Sequence, residues 1–156
     1  MSKVMSINHA VKQPINILIV DDNEIDIEAV QRAIKKAYIT NPLHKASDGV
    51  EALEMLCGQN GRIKLTQPCI ILLDINMPRM DGITLLGKLR NHETLKQNIV
   101  FMLTTSARNK DLMQTYDLSI AGYIVKENLK ELTNILNTYC HINKFPFYEK
   151  EITHTS

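Results

Sequence analysis

The sequence predicts an α/β protein with a doubly wound sheet of five parallel strands flanked by five helices. Five short apolar segments alternate with segments whose apolar residues recur every three or four positions. Such alternation is typical of parallel strands joined by crossover helices. The first and third apolar segments contain almost no polar residue, as expected for strands that are covered on both faces. The 156-residue chain is long enough for one domain with a core.

The strands are predicted from runs of β-branched and aliphatic residues, of which the second is weak. They are Ile15–Val20, Leu43–Ala46, Cys69–Leu73, Ile99–Leu103 and Tyr123–Val125. The predicted strands and helices together define one domain over residues 14–142. We expect a flexible N-terminal segment over residues 1–13 and a C-terminal tail over residues 143–156.

The first two helices are predicted from their apolar faces. In the second, Asp48 precedes Glu51 by three residues, as in a capping box that begins a helix. The inward positions of the first helix are expected to be Ile27, Val30, Ile34, Ala37 and Tyr38. Those of the second are expected to be Val50, Leu53, Leu56 and Cys57.

The last three helices follow the third, fourth and fifth strands. The third is predicted from about Ile83 to Arg90 and the fourth from about Asn109 to Tyr116. The fifth has a clear apolar stripe at helical spacing. Its members are Leu129, Leu132, Ile135, Leu136 and Tyr139.

Composition excludes several classes of function. The formal net charge is +1, so there is no overall attraction to nucleic acid or to an anionic membrane. The chain has no Trp and three cysteines without CxxC spacing, which argues against a base-stacking platform and a disulfide framework. No segment approaches the roughly 18 apolar residues of a membrane span, and the N-terminus lacks the apolar core of a signal peptide. We therefore expect a cytoplasmic protein.

Polar side chains follow four of the predicted strands. In a sheet of order 2-1-3-4-5, the flavodoxin-like order, ligands bind beyond the carboxyl ends of the strands, between strands one and three. Strand one ends in Asp21 and Asp22, and strand three ends in Asp74. Thr104 and Lys126 end strands four and five. All five residues are expected at the same edge of the sheet.

This set of residues indicates one kind of chemistry. Clustered carboxylates repel one another unless a cation joins them, and hard oxygen ligands with open positions suit Mg²⁺. A hydroxyl and an ammonium group can hold the oxygens of a phosphoryl group. An aspartate can itself act as nucleophile and form an acyl phosphate. We therefore expect Mg²⁺-assisted phosphoryl transfer onto an aspartate.

Each residue also has a simpler interpretation. Asp21 and Asp22 could cap the following helix. Thr104 could be only a strand residue, and Lys126 could be a solvated loop lysine. Their agreement with one reaction favours the functional interpretation.

Four motifs, ILIVDDN, ILLDINMPRMDG, FMLTTS and GYIVK, resemble the receiver domain of two-component response regulators. The resemblance implies that Asp74 accepts a phosphoryl group from a sensor histidine kinase or phosphotransfer protein. It implies that Asp22, Asp74 and the backbone carbonyl of Asn76 bind Mg²⁺, with Asp21 assisting. Thr104 and Lys126 would contact the phosphoryl oxygens.

The same resemblance implies how phosphorylation is relayed. Thr104 and Tyr123 match the switch positions, and Asn76 and Ser106 match positions that tune the lifetime of the phosphoryl group. The face formed by the fourth helix, the fifth strand and the fifth helix would bind a downstream protein partner. Such a domain is not an enzyme, although it assists its own phosphorylation and dephosphorylation. Glu127 follows the lysine where the family commonly has proline, so the loop there is expected to differ.

Within the family, the stretches NHETLKQNIVFMLTTS and MQTYDLSIAGYIVK and the aromatic tail resemble stand-alone receivers associated with bacterial phytochromes. The tail is too short for a helix-turn-helix, so direct nucleic-acid binding is not expected. Its aromatic residues could pack back on the domain or form a homodimer contact. They are Phe145, Phe147 and Tyr148.

Other functions are alternatives to a phosphorylated switch. One is a receiver-like module that binds partners without phosphorylation. Another is an aspartyl-phosphate phosphohydrolase of the haloacid dehalogenase type, which needs a second acid two residues after its nucleophile. Here that residue is Asn76, whose amide cannot donate and recover a proton. A flavin mononucleotide binder would share the fold, but the acids at the end of strand one would repel its phosphate.

Overall fold

The computed structural model describes residues 14–106, 108 and 111–141. The N-terminal segment 1–13, the tail 143–156 and the predicted start of the fourth helix at Asn109 lie outside the described residues. None of the helices in the described part of the chain has the length and apolarity needed to cross a membrane.

The strands form one parallel sheet in the order β2-β1-β3-β4-β5. The predicted fold class and strand order are therefore confirmed. The strands are β1 (Asn16–Val20), β2 (Leu43–Ala46), β3 (Cys69–Asp74), β4 (Ile99–Thr104) and β5 (Gly122–Val125).

Five helices connect or follow the strands, as predicted. A short 3₁₀ helix, Leu95–Gln97, precedes β4 and was not expected from the sequence. The helices are α1 (Glu24–Lys36), α2 (Gly49–Cys57), α3 (Gly82–Arg90), α4 (Leu112–Tyr116) and α5 (Leu129–His141).

The sheet separates two apolar cores, and β3 contributes to both. Ile71 and Leu73 pack with α2, α3 and α4 on one face of the sheet, whereas Ile70 and Leu72 pack with α1 and α5 on the other. All of these side chains are fully buried. Because burial of such a side chain stabilises the fold by about 1.5–3 kcal/mol, this alternation holds β3 firmly in register.

The same alternation decides on which side of the sheet each strand-end residue lies. Successive side chains of a strand point to opposite faces. Asp74 follows Leu72 by two positions, and Lys126 follows Ile124 by two, so both lie on the side of α1 and α5. Thr104 follows Met102 by two and lies on the opposite side, with α4.

Two of the inward helix positions predicted from the sequence are wrong. Tyr38 is 90% exposed with a φ of 59°, because α1 ends at Lys36 and the chain turns there. Val50 is half-buried and belongs to neither core, whereas Ala52 is fully buried. The apolar spacing identified both helices but not the rotation of α2 or the end of α1.

Asp48 begins α2 as predicted, but the capping box is only half formed. A carboxylate oxygen of Asp48 accepts the Glu51 N–H at 2.9 Å, and Asp48 is the N-cap. The carboxylate of Glu51 accepts the N–H of Ser47 at 2.9 Å, one residue before the cap. The bond to Asp48 satisfies a donor that the helix itself leaves free, whereas the bond from Ser47 holds the residue before the cap against the helix.

Gly82 lies against the backbone of the residue that ends β3. A Cβ atom at Gly82 would be 2.1 Å from the Asp74 carbonyl oxygen and 3.0 Å from Ile75 Cα. The Gly82 N–H also donates to the Ile75 carbonyl at 2.7 Å. A side chain at this position would therefore displace the backbone that carries Asp74.

Gly82→Ala is expected to lower the free energy of unfolding by about 1–3 kcal/mol, the cost of forcing atoms into a packed region. Gly87→Ala is the matched control, because it lies in the same helix and its added Cβ would have no atom within 4 Å among the described residues other than its chain neighbours and the backbone of that helix. It should raise the free energy of unfolding by about 0.5–1 kcal/mol. Urea denaturation followed by circular dichroism measures both, and a Gly82→Ala variant as stable as the parent would contradict this account.

Candidate functional site

Asp21 and Asp22 follow β1 and differ in exposure. Asp21 is fully buried, whereas Asp22 is exposed. The Asp21 N–H donates to the Ala46 carbonyl at 3.1 Å, and its Oδ1 accepts the Asn23 N–H at 3.0 Å. Its Oδ2 is buried and has no hydrogen bond among the described residues. One carboxylate oxygen of Asp21 is thus hydrogen-bonded within the loop, and the other faces the site.

Asn23, rather than either aspartate, caps the first helix. Its Oδ1 accepts the N–H groups of Ile25 at 3.0 Å and Asp26 at 3.2 Å. The interpretation of Asp21 and Asp22 as helix caps is therefore wrong. Because Asn23 satisfies the helix end, the carboxylates of the two aspartates remain for the site.

Asp74 ends β3 beside these two residues, as predicted. Asp21, Asp22 and Asp74 each offer a carboxylate oxygen within 4.8 Å of the others. Asp74 is only 8% exposed. Burial, followed by repulsion from the Asp21 and Asp22 charges, raises the pKa of Asp74 to about 6, although Lys126 opposes the shift. The site disfavours the third negative charge.

Lys126 supplies the positive charge that faces these acids. Its Nζ lies 2.8 Å from Asp21 Oδ2, 2.8 Å from Asp26 Oδ2 and 3.4 Å from Asp74 Oδ1. Burial lowers the pKa of Lys126, but the contacts with Asp21, Asp26 and Asp74 outweigh burial and raise it above its usual value. Lys126 is therefore not a solvated loop lysine.

Asp26 is the site residue that the sequence reasoning missed. It lies in the first turn of α1, and its Oδ2 accepts a hydrogen bond from Lys126 Nζ. The only signal in the sequence was an acid one turn after ILIVDDN, which is also where acids favour a helix N-terminus.

Thr104 lines the same pocket, but its hydroxyl is occupied elsewhere. The hydroxyl donates to the Ser106 carbonyl at 2.9 Å and accepts the Ser106 N–H at 3.2 Å. Ser106 is exposed. Tyr123 is half-buried and packs against the core on the Thr104 side of the sheet. The two predicted switch residues therefore share a face.

The pocket at this edge is small and polar. Its volume is about 230 Å³, below the range of about 300–1,000 Å³ typical of sites for larger organic ligands. A flavin mononucleotide is thus disfavoured by size as well as by charge. The residues that line it include Asp22, Asp26, Asp74, Asn76, Thr104 and Lys126.

The arrangement fits a divalent cation. The three carboxylates lie close enough to share one ion, and hard oxygen ligands are those that Mg²⁺ and Mn²⁺ accept. The buried Asp21 Oδ2 already faces Lys126 Nζ at 2.8 Å, and a carboxylate oxygen has more lone pairs than this one contact uses, so it can also accept a cation. Asn76 is exposed at the rim of the same pocket.

Comparison with known families gives one match that covers most of the chain. The family model described as the response regulator receiver domain matches residues 17–137. Apart from Asn16, the first residue of β1, this range contains all five strands, and it contains the five residues predicted for the site.

Individual proteins agree with that match. The response regulator Rcp1 of Synechocystis sp. is 35% identical over 117 residues, which cover 74% of this chain and 80% of Rcp1. The crystal structure of the Mn²⁺-bound form of Rcp1 superimposes with a TM-score of 0.74 at 30% identity, covering 85% of this chain and 99% of that chain. The crystal structure of the phosphorylated cyanobacterial phytochrome response regulator RcpA superimposes with a TM-score of 0.69 at 32% identity, covering 81% of this chain and 91% of that chain.

Without divalent cations, Asp74→Asn is expected to raise the free energy of unfolding near neutral pH. A carboxyl with a pKa of 3.8 unfolded and about 6 folded binds its proton more tightly in the native state. The parent protein therefore loses stability as the pH rises from about 4 to above 6, and the amide does not. After a discount for solvent screening, the free energy of unfolding of Asp74→Asn is expected to exceed that of the parent by about 1 kcal/mol at about pH 7.5. This difference shrinks towards zero at about pH 4.

Urea denaturation in the presence of EDTA at both pH values measures this difference. Asp117→Asn, at an exposed position at the end of α4, is the control for loss of one negative charge. A gain of equal size at both pH values would contradict the role given to carboxylate repulsion.

Proposed function

The chain belongs to the response regulator receiver domain family of two-component signalling, and on this premise we propose that it is a phosphorylation switch whose phosphoacceptor is Asp74. The family and the likeness to phytochrome-associated response regulators, both expected from the sequence, are confirmed. The observation that carries the proposal is the placement of Asp74, which lies within 4.8 Å of two other carboxylates and 3.4 Å from Lys126 Nζ.

Receiver domains interact with histidine kinases or phosphotransfer proteins, and we propose phosphohistidine as the donor. A carboxylate oxygen of Asp74 attacks the phosphorus atom, and the phosphorus–nitrogen bond breaks. The imidazole leaves with the electron pair and takes up a proton. Lys126 stabilises negative charge on the phosphoryl oxygens, since its ammonium already lies in the pocket.

The acids of the pocket would hold a divalent cation, proposed to be Mg²⁺. Asp21, Asp22, Asp74 and the backbone carbonyl of Asn76 are the proposed ligands. When bound, the cation neutralises charge on the phosphoryl group and orients it. The closeness of the three carboxylates, whose oxygens lie within 4.8 Å of one another, supports this assignment.

Phosphorylation is proposed to act through Thr104 and Tyr123. The phosphoryl group carries about two negative charges, and the Thr104 hydroxyl would exchange its bond to the Ser106 carbonyl for one to a phosphoryl oxygen. Tyr123 lies on the same face and would follow. Met113 and Tyr116 of α4 are exposed and offer apolar surface, and the α4-β5-α5 face is the proposed site for a downstream protein.

Asn76 and Ser106 are proposed to tune the lifetime of the acyl phosphate. Both are exposed, so they can affect the approach of water that hydrolyses it. Glu127 is exposed after Lys126, and the Lys126 N–H donates to the Thr104 carbonyl at 2.8 Å. The absent proline thus does not prevent Lys126 from reaching the pocket. The cytoplasmic location and a homodimer through the tail stay predictions.

The two alternative functions are less well supported. Receiver-domain response regulators are generally non-enzymatic signalling proteins. The amide of Asn76 cannot donate and recover a proton, as the general acid of a phosphohydrolase must. A module that binds partners without phosphorylation would not require the acids, the lysine and the hydroxyl to meet in one pocket.

Acetyl phosphate is expected to label the protein in a Mg²⁺-dependent reaction, and Asp74→Asn should abolish the label. The reason is that the amide cannot act as the nucleophile. Intact-protein mass spectrometry and sensitivity of the label to hydroxylamine measure it. Asp117→Asn is the control and should be labelled like the parent. Label that persists on Asp74→Asn would contradict the acceptor assignment.

A further inference from the structure

We propose that Asp26 is a positioning residue that restrains the Lys126 ammonium on the α1 side of the pocket and thereby slows phosphoryl transfer to Asp74. The inference rests on the proposed function of Asp74. It concerns a residue 100 positions away from Lys126 in the sequence that meets it only in the folded protein.

The contact geometry favours Asp26 over Asp74 as the partner of the lysine. Lys126 Nζ donates a hydrogen bond to Asp26 Oδ2 at 2.8 Å, whereas its distance to Asp74 Oδ1 is 3.4 Å. Short charge-assisted hydrogen bonds are the stronger ones. In the resting pocket the ammonium is therefore drawn away from the nucleophile.

Both residues are anchored through their backbones, so side chains alone decide where the ammonium lies. The Lys126 N–H donates to the Thr104 carbonyl at 2.8 Å. The Asp26 N–H donates to the Asn23 cap at 3.2 Å. Lys126 must therefore reach a phosphoryl group by moving its side chain, and Asp26 opposes that movement.

A bound cation would offset the negative charge of Asp21 but not that of Asp26. Asp21 belongs to the cluster of three carboxylates that can share an ion, but Asp26 does not. Charge on Asp21 would be offset by the cation, whereas Asp26 would keep its full negative charge for the lysine. Asp26 therefore competes with the incoming phosphoryl oxygens.

The restraint is weak enough to be released. The side chain of Asp26 is 33% exposed and that of Lys126 is 13% exposed. Water screens the pair from one side, so its strength lies between that of a surface ion pair and a buried charged hydrogen bond. Removal of the Asp26 charge should therefore accelerate the transfer about three- to tenfold.

The test is the initial rate at which acetyl phosphate labels Asp26→Asn and the parent protein. In this reaction an Asp74 oxygen attacks phosphorus, the bond between phosphorus and the acetyl oxygen breaks, and acetate leaves with the electron pair. The reaction is run at saturating Mg²⁺. About 0.3 M KCl screens the long-range attraction between the protein and the anionic donor. We expect a rate about three- to tenfold above that of the parent, and Asp26→Glu should restore a slow rate.

Glu24→Gln is the control for loss of negative charge at the same end of α1. Glu24 pairs with Lys45 at 2.7 Å rather than with Lys126, so its removal should leave the rate unchanged. A second control is Asp26→Asn in a Lys126→Met background, where the acceleration should disappear because no ammonium remains to be released. If labelling of Lys126→Met is too slow to measure, affinity for beryllium trifluoride, followed by melting temperature, replaces the rate for the parent, the two single variants Asp26→Asn and Lys126→Met, and the double variant.

The outcomes separate this inference from the proposed function. An Asp26→Asn rate equal to or below that of the parent overturns the inference alone, as does an acceleration that persists in the Lys126→Met background. A parent protein that acetyl phosphate does not label overturns both.

Discussion

The site depends on one ammonium group that offsets the charges of several carboxylates. Lys126 lies within 3.4 Å of Asp21, Asp26 and Asp74, and it is mostly buried. Burial and mutual repulsion still raise the pKa of Asp74 to about 6, so one lysine does not neutralise the pocket. That imbalance favours a divalent cation, which the three clustered carboxylates lie close enough to share. Any phosphoryl group that enters has to be accommodated by redistributing these few charges.

The two-sided burial of the sheet determines how such a redistribution can spread. Because side chains alternate along each strand, Asp74 and Lys126 lie on the side of α1 and α5, whereas Thr104 and Tyr123 lie on the side of α4. The pocket therefore joins the two faces at the edge of the sheet. In the proposed function, a change in charge on one side would be transmitted through Thr104 to α4 on the other, and coupling of this kind is typically about 1–3 kcal/mol. The start of α3 can pack directly against the backbone at Asp74 because Gly82 has no side chain.

Much of the fold and of the candidate site could be predicted from the sequence. Apolar periodicity located all five strands and five helices, and the topology of a parallel sheet brought Asp21, Asp22 and Asp74 to one edge. Details that depend on helix ends and helix rotation could not be predicted. The cap of α1 is Asn23 because a side-chain oxygen must meet particular N–H groups, and the composition of the turn allows three candidates.

The sequence by itself determined the fold class and the chemistry of the strand ends, because apolar segments that alternate with helical spacing predict a parallel sheet and because parallel strands end at a common edge. Only the tertiary structure decided which acids the lysine contacts. Asp26 and Lys126 lie 100 residues apart, and their meeting depends on how α1 packs over the edge of the sheet. Packing of that kind is the sum of many side-chain contacts across both elements, and no local pattern in the chain encodes it.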